Sequence, residues 1–446
     1  MTTTTNNEQK KLNFSSEREQ SQACLNSAEH EKNQGRKVLN VPNLRFPEFQ
    51  GEWEKKSLGE IGDSFIGLTY KPTDVVSKGG FIVFRSSNIQ NGCMDYKDIV
   101  RVNKNVKEKL ITKKSDLLVC ARNGSARLIG KNAILHDADA NQTFGAFMMV
   151  FRSDKNHFVH QLLNTRRYSS QVSENLGARI NQITSSDLSS FEFFFPTENS
   201  EMNKIAALLD LLDERIAIQN KIIEDLKKLK AAIIEKVFCS PNQEYPMCRI
   251  EGFEQALSTY KMSDFSSRIA TKNKDSKCSL VLTIAAQYGL VNQESFFNKS
   301  VASENLTGYY LLHKGEFAYN RSYSAGYDWG VVKRLDNYDE GVLSTLYICF
   351  KINETIVDSD YLAYYFESSK WHKGLFDIAG EGARNHGLLN VSMTDYFNTK
   401  HRFPVIEEQK AIAKMLNTIA EKERKATLLG ECYQKQKQYL LCQMFT

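Results

Sequence analysis

The chain has 446 residues, of which 41% are hydrophobic and 25% charged, and its formal net charge is +5. This length favours two or three domains over a single core, and no apolar run is long enough to span a membrane. The nine cysteines form no C-x-x-C pair, which argues against a zinc site and, without a recognisable signal peptide, predicts reduced thiols in a cytoplasmic protein.

The N-terminal residues 1–37 carry few large apolar side chains and many Thr, Asn, Gln, Glu and Lys. Such a segment cannot bury enough apolar surface to offset the entropy of ordering. We therefore expect a disordered tail.

Short runs of β-branched and aromatic residues begin after Val41. They predict strands at residues 81–84, 116–120 and 147–151. A helix-period stretch near Phe158 follows, and then a strand-like run at 191–195 that ends at a proline. Residues 38–196 therefore form the first globular domain, which we expect to mix helices and strands.

A long amphipathic helix is predicted within residues 197–240. Residues 201–238 contain no glycine or proline and place apolar residues at spacings of three, four or their sums. Such a helix is on the order of 55 Å long, more than a small domain needs, so we expect it to pair with another helix; a packed surface helix of one domain is the alternative. The expected packing positions are Ile205, Leu209, Leu212, Ile216, Ile223, Leu226 and Ile233.

An internal repeat supplies the partner helix. A shift of 207 residues lays 408–445 over 201–238 with nine identities in 38 positions, and upstream Thr184 to Asp187 matches Ser392 to Asp395. The chain is thus a tandem duplication, with a second mixed domain over residues 241–404 and a second helix over 405–446. The packing positions expected in the second helix are Ile412, Leu416, Ile419, Leu429 and Leu440.

Duplication also predicts geometry. Two like units in one chain tend to be related by a pseudo-twofold axis, which allows the two helices to pack as an antiparallel coiled coil with the mixed domains at opposite ends. Two similar domains held at a fixed separation can recognise two DNA half-sites. By geometry alone, a duplicated scaffold or adaptor protein without DNA specificity fits equally well.

Several segments resemble the specificity subunits of type I restriction-modification systems. They are the opening Val41 to Phe46 with Trp53, the Phe195-Pro196 junction that leads into the first helix, and its echo at Phe403-Pro404. The resemblance covers residues 41–446 in the order target-recognition domain, spacer helix, target-recognition domain, spacer helix. One departure is that Tyr245 to Lys261 lacks a tryptophan like Trp53, which leaves the start of the second domain undefined.

The resemblance implies a subunit that reads double-stranded DNA and catalyses nothing by itself. Each target-recognition domain would read one half of a bipartite site, and the helices would set the spacer length and dock two methyltransferase subunits. Restriction subunits would join the same complex. S-adenosylmethionine, ATP and Mg are implied for the partner subunits, with no cofactor or metal bound by this chain.

Motifs of catalysis are missing from the sequence. There is no Pro-Pro of an adenine methyltransferase loop, and Gly130-Lys131 is followed by Asn132 where a P-loop needs Ser or Thr. The histidines form no H-E-x-x-H pattern. A restriction-like subunit with its own activity is therefore a weaker alternative. Binding of single-stranded nucleic acid is also a weaker alternative. The aromatic residues that could stack on bases lie in runs typical of protein cores.

Loop segments rich in Arg, Asn, Gln, Ser and Tyr are the expected DNA contacts, since these side chains read base edges and phosphates. The candidates in the first domain are Arg85, Ser86, Asn88, Arg122, Asn123, Ser125, Arg127, Arg179, Asn181 and Gln182. Their expected counterparts in the second domain are Gln287, Tyr288, Asn320, Arg321, Ser322, Tyr323, Arg384, Asn385 and His386. We expect Arg122 and Arg321 on bases and Arg179 and Arg384 on phosphates; solvated turns are the alternative for each.

Overall fold

The computed structural model describes residues 40–178, 181–298, 305–322, 326–378, 389 and 391–446. The chain forms two compact units. The first consists of the residues up to Asp213 together with Lys435–Thr446, and the second of Glu214–Gln434. The expected N-terminal tail lies outside the described residues.

The first unit mixes short strands with helices, as its sequence predicts. Its strands are β1 (Glu54–Ser57), β2 (Asp63–Ile66), β3 (Val75–Val76), β4 (Phe81–Phe84), β5 (Ile89–Gln90), β6 (Cys93–Met94), β7 (Val100–Val102), β8 (Leu117–Cys120), β9 (Asn132–Ile134), β10 (Thr143–Phe144), β11 (Met148–Arg152) and β12 (Glu192–Phe195). Its helices are α1 (Asn156–Leu162), α2 (Arg166–Ala178), α3 (Ser185–Ser190) and the start of α4 (Asn199–Val237). Two four-stranded sheets, β10-β4-β7-β3 and β2-β11-β8-β9, carry the unit, and β1 pairs with β12.

The second unit has the same kind of organisation. Its strands are β13 (Ser258–Lys261), β14 (Ser266–Arg268), β15 (Leu282–Ala285), β16 (Gly289–Asn292), β17 (Tyr310–His313), β18 (Phe317–Asn320), β19 (Val331–Arg334), β20 (Glu340–Leu343), β21 (Ile348–Ile352) and β22 (Lys400–Phe403). Its helices are α5 (Met262–Phe265), α6 (Gln293–Phe297), α7 (Ser359–Tyr365), α8 (His372–Phe376), α9 (Met393–Asn398) and most of α10 (Ile406–Met444). The sheet β14-β21-β18-β19 corresponds to β2-β11-β8-β9 of the first unit, and β13 pairs with β22 as β1 pairs with β12.

The sequence of strand β8 is a continuous apolar run because both faces of the strand are buried. All four of its residues are buried, and alternate side chains point to opposite faces of the sheet. Leu117 and Val119 belong to one core, and Leu118 and Cys120 belong to another. Strand β18 divides its residues between two cores in the same way.

The duplication extends to individual hydrogen bonds. Thr184 accepts a hydrogen bond from the Asp187 backbone N–H at the start of α3, and Ser392 does the same for Asp395 at the start of α9. Leu257, which precedes β13 and is buried, stands where Trp53 precedes β1. The second domain therefore keeps the buried position with a smaller apolar residue, which is why a search for a second tryptophan misses it.

The two long helices run antiparallel within each unit. In the second unit Gln219 Nε2 donates to the Ala426 carbonyl (2.9 Å), and further along α4, Ile234 shares a core with Leu416 of α10. In the first unit the Lys437 ammonium contacts the Asp213 carboxylate (2.5 Å), and Leu209 shares a core with Met444. Both helices are continuous over the lengths that their periodicity predicts.

The residues that the sequence predicts to pack between the two long helices are buried to different degrees. Ile205, Leu209, Leu212, Ile412 and Leu416 are buried, and Ile216, Ile223, Leu226, Ile233, Ile419 and Leu440 are half-buried. The prediction for Leu429 is wrong, because its side chain is 43% exposed. The neighbouring Ala426 and Gly430 are the buried positions on this turn of α10, since small residues there let the helix approach Gln219 closely.

Among the described residues, no helix is both long and apolar enough to cross a membrane.

Candidate nucleic-acid interface

Three of the predicted loops of the first unit meet in one place. Asn123, after β8, donates from Nδ2 to Ser86 Oγ (3.1 Å), which follows β4. The Asn123 backbone N–H reaches the Asn181 carbonyl (3.4 Å), and Asn181 Nδ2 returns a hydrogen bond to the Gly124 carbonyl (3.3 Å). Asn181 has a positive φ of 51°, a conformation that asparagine tolerates better than most residues. We call Ser86, Arg122, Asn123, Phe147, Asn181 and Gln182 the loop cluster.

Arg122 is an exposed cation at the centre of the loop cluster. Its guanidinium lies over the Phe147 ring, 5.4 Å from the ring centroid, and its backbone N–H donates to the Phe147 carbonyl (3.0 Å). Its backbone also forms an isolated antiparallel bridge with Gln182. Stacking on a ring limits the orientations of a guanidinium while its N–H groups stay available to a ligand.

A buried cysteine contacts the loop cluster. The buried Cys120 thiol lies at the end of β8 and contacts the Arg122 carbonyl oxygen (3.7 Å). Burial raises the pKa of the Cys120 thiol to about 11, so this sulfur is protonated at neutral pH. A protonated buried thiol is a packing group and not a nucleophile.

The loop after β4 contributes less to a ligand surface than its sequence predicts. Arg85 pairs with Asp98 (Nη2 to Oδ1, 2.7 Å). Asn88 is fully buried: its Oδ1 accepts from the Arg85 backbone N–H, and its Nδ2 donates to the carbonyls of Asp95 and Asp98. Asn88 therefore shapes the loop, and the prediction that it contacts a ligand is wrong.

The remaining candidates of the first unit lie beside the loop cluster. The Ser125 backbone N–H donates to Asn123 Oδ1 (3.0 Å), which closes a tight Asx turn, and Arg127 is exposed on the following 3-10 turn. Arg179 lies outside the described residues.

In the second unit, Gln287 and Tyr288 form the tip of the hairpin between β15 and β16. Both side chains are exposed, Tyr288 by 67%. The Tyr288 ring lies near the ring of Phe296 in α6, with a centroid distance of 6.4 Å.

Arg321 follows β18 but does not occupy the position of Arg122. The Ala121 carbonyl accepts from the Ile183 N–H, and the Arg321 carbonyl likewise accepts from the Leu389 N–H, so Arg321 aligns with Ala121. Its guanidinium donates to the carbonyls of Val391 (3.1 Å) and Leu346 (3.2 Å). These bonds join three segments of the second unit. The prediction that Arg321 is the counterpart of Arg122 is therefore wrong.

The other candidates of the second unit are only partly described. Asn320 Oδ1 accepts from the Ser322 N–H (3.0 Å), and both residues are half-buried. The predicted contacts Tyr323, Arg384, Asn385 and His386 lie outside the described residues.

One residue of the loop cluster escapes sequence reasoning. Phe147 stands in the apolar run 147–151, for which the sequence predicts a strand, but it lies in the turn before β11 and is 59% exposed. The strand pattern is right from Met148 onward. Hydrophobicity alone does not separate the last turn residue from the first strand residue, because both are apolar here.

The loop cluster combines hydrogen-bonding side chains and one exposed cation with no acidic group in it. In the described part of the chain, no group of three His, Cys, Asp or Glu side chains is placed to hold a metal ion. A guanidinium, amides and a hydroxyl on neighbouring loops are the groups that bind base edges and phosphates.

Comparisons with known proteins agree with this chemistry. Residues 50–228 match the family model described as the type I restriction modification DNA specificity domain. The chain is 28% identical over 212 residues to the specificity subunit of the type I restriction enzyme EcoKI from Escherichia coli (strain K12), and the match covers 45% of each chain. It is 27% identical over 195 residues to the StySPI specificity subunit from Salmonella potsdam, covering 41% of this chain and 42% of the relative. The matched regions thus span less than half of the length of either relative.

A solved structure shares the fold over almost the whole chain. The type I restriction-modification S subunit from M. genitalium superposes with a TM-score of 0.56 at 16% identity, covering 91% of this chain and 99% of that one. This likeness extends the shared architecture beyond the residues that the sequence comparisons match.

Proposed function

We propose that this chain selects the DNA sequence on which a methylation and restriction complex acts, because residues 50–228 match the family model of type I restriction modification DNA specificity domains. The single observation on which the proposal depends is the loop cluster, where three loops bring Ser86, Asn123 and Asn181 together beside the exposed Arg122. In this function the chain supplies binding and no chemistry of its own.

Each unit reads one half of a bipartite DNA site in this proposal. The duplication supports this, because α3 and α9, β1 and β13, and the sheets around β8 and β18 recur with the same pairings. The two sets of loops differ in sequence, so the two half-sites are expected to differ as well.

The long helices are proposed to set the spacer between the half-sites and to dock two methyltransferase subunits. Their mutual contact does not use all of their apolar residues: Leu211 of α4 is 60% exposed, Ile218 is 61% exposed, and Tyr439 of α10 is 61% exposed. Large apolar side chains on the outside of a helix are typical of a face that a partner covers. S-adenosylmethionine, ATP and Mg belong to the partner subunits in this scheme.

Genome-wide mapping of methylated adenines tests the proposal. The chain is expressed with the methyltransferase subunit of its own system in a host without other adenine methylation, and methylated positions are mapped by single-molecule sequencing. The expected result is a split motif with an unread spacer of fixed length, lost when this chain is omitted. Methylation that is unchanged without the chain would support the alternative of a scaffold without DNA specificity.

A further inference from the structure

The turn before the last strand of the central sheet is duplicated in the two units. In the first unit the Met148 N–H donates to the Gly145 carbonyl (2.8 Å) and β11 begins; in the second the Tyr347 N–H donates to the Ser344 carbonyl (3.2 Å) and β21 follows. The third residue of this turn is Phe147 in one unit and Leu346 in the other.

Both of these residues are large, apolar and exposed. Phe147 is 59% exposed and Leu346 is 61% exposed. A single exposed apolar side chain is ordinary on a protein surface. The recurrence of an exposed apolar residue at the same turn is not ordinary, because the two turns, Gly-Ala-Phe-Met and Ser-Thr-Leu-Tyr, share no residue.

The backbone holds both turns firmly while their side chains stay in solvent. The Phe147 carbonyl accepts from the N–H groups of Ala121 (2.9 Å) and Arg122 (3.0 Å). The Leu346 carbonyl accepts from the guanidinium of Arg321 (3.2 Å), which stands at the position of Ala121. The backbone of each residue is therefore held beside the segment that follows β8 or β18.

The neighbours of these side chains point to one kind of partner. Phe147 lies beside Arg122, whose neighbour Asn123 bonds to Ser86, and Leu346 lies beside Arg321. A protein partner is expected to require a wider apolar patch than one side chain. Base edges in the major groove of DNA combine hydrogen-bonding groups with one apolar group, the 5-methyl of thymine.

We propose that Phe147 and Leu346 are specificity-determining residues, each of which contacts the methyl group of a thymine in its half of the DNA site. This inference rests on the proposed function and adds to it the recognised base, thymine, and the recognised group, its methyl. It also assigns Arg122 a second task, since its guanidinium over the ring keeps one face of Phe147 covered and leaves the rest for the base.

Removal of single methyl groups from the DNA tests the inference. The full-length chain first selects its sequence from a random duplex library, and each thymine of that sequence is then replaced by deoxyuridine, which lacks only the methyl group. Affinities are measured by fluorescence anisotropy at one fixed salt concentration. The wild-type chain is expected to lose about fourfold in affinity at one thymine in each half-site, the worth of one buried methyl group.

The variants assign each thymine to its side chain. Phe147→Ala is expected to weaken binding and to abolish the response to deoxyuridine in one half-site only, and Leu346→Ala to do so in the other. Met247→Ala, which removes an exposed apolar side chain (72%) ahead of β13, is the control and keeps both responses. All variants are expected to unfold at the wild-type temperature, because the substituted positions are exposed. This measurement checks that their folding is intact.

Two results would overturn the inference while leaving the proposed function in place. One is a sequence-selective wild-type chain that responds to no deoxyuridine replacement. The other is a Phe147→Ala variant that responds to the replacements as the wild type does. A wild-type chain that selects no sequence would instead overturn the proposed function, and the inference with it.

Discussion

The guanidinium of Arg45 and the carboxylate of Glu201 form a bidentate ion pair, with Nε to Oε1 at 2.7 Å and Nη2 to Oε2 at 2.8 Å. Arg249 and Glu408 form the same pair in the second unit, at 2.9 and 2.7 Å. Both glutamates are buried in the first turns of the long helices. Each pair therefore fastens the segment that opens a mixed domain to the helix that follows that domain.

Glu201→Gln is expected to lower the free energy of unfolding by about 3–5 kcal/mol, because it removes one charge of a buried pair and leaves the other uncompensated. Urea unfolding measures the loss. Glu192→Gln is the matched control: Glu192 pairs with Lys55 on the surface, both about half exposed, so its loss should stay below about 1 kcal/mol. Equal losses for the two variants would contradict a structural role for the Arg45–Glu201 pair.

Arg122→Ala is expected to lower affinity for the recognised DNA by about 10- to 100-fold, the worth of one bidentate contact to a base. The expectation follows from an exposed guanidinium held over Phe147 at the centre of the loop cluster. Arg167→Ala is the control, since Arg167 also lies over a ring, that of Phe194, but donates to the Glu192 carbonyl away from the loops. Anisotropy titrations of both variants at one salt concentration decide; an unchanged affinity for Arg122→Ala would remove Arg122 from the interface.

The pair of His157 and Asp210 predicts a pH dependence of stability. The Asp210 carboxylate is 2.6 Å from His157 Nδ1, and this hydrogen bond raises the pKa of His157 above its usual value, against the opposing effects of burial and of Lys114. Because the folded-state pKa is the higher one, the stabilisation is complete below the unfolded-state pKa of about 6.5 and is lost as the pH rises through the folded-state pKa.

His157→Gln should therefore cost more stability in mildly acidic than in alkaline solution. His157 is half exposed, so the difference should stay below about 1 kcal/mol. Asp210→Asn should return the pKa of His157 towards its usual value in an NMR titration. A loss on His157→Gln that is the same at both ends of the pH range would show that the pair contributes no pH dependence.

Gly430→Ala is expected to stabilise the chain by about 0.5–1 kcal/mol, because glycine is costly in a helix interior. The position accepts a methyl group: a Cβ there would lie 3.4 Å from Gln219 Cγ and 3.5 Å from Ile223 Cδ1, which is ordinary contact. Gly430→Leu should destabilise, since the larger side chain must displace Gln219 from α10. Thermal unfolding of the two variants checks the sign, and a destabilised Gly430→Ala would mean that the helices are packed more tightly than this contact indicates.

Local pattern was enough to predict the long helices and the duplication of this protein. The helical period over 201–238 depends on residues three and four apart, and the structure has one continuous helix there. The shift of 207 residues established the duplication, and Thr184 and Ser392 do cap equivalent helices. The sequence also predicts that Ser86, Asn123 and Asn181 lie in loops of one mixed domain, whereas their convergence is seen only in the structure.

The tertiary structure alone decided which side chains of these elements are available. Asn88 and Arg321 are residue types that contact DNA, yet the Asn88 amide and both terminal nitrogens of Arg321 donate to carbonyls, of residues up to 70 positions away along the chain. Leu429 fits the helical period, but the close approach of Gln219 gives that contact to Ala426 and Gly430. Phe147 matches a strand, and only the hydrogen bonds to its carbonyl place it in an exposed turn. Burial and hydrogen-bond partners depend on segments far apart in sequence, whereas helix and strand periodicity depends on neighbours, so the sequence determined the architecture and the fold determined the surface.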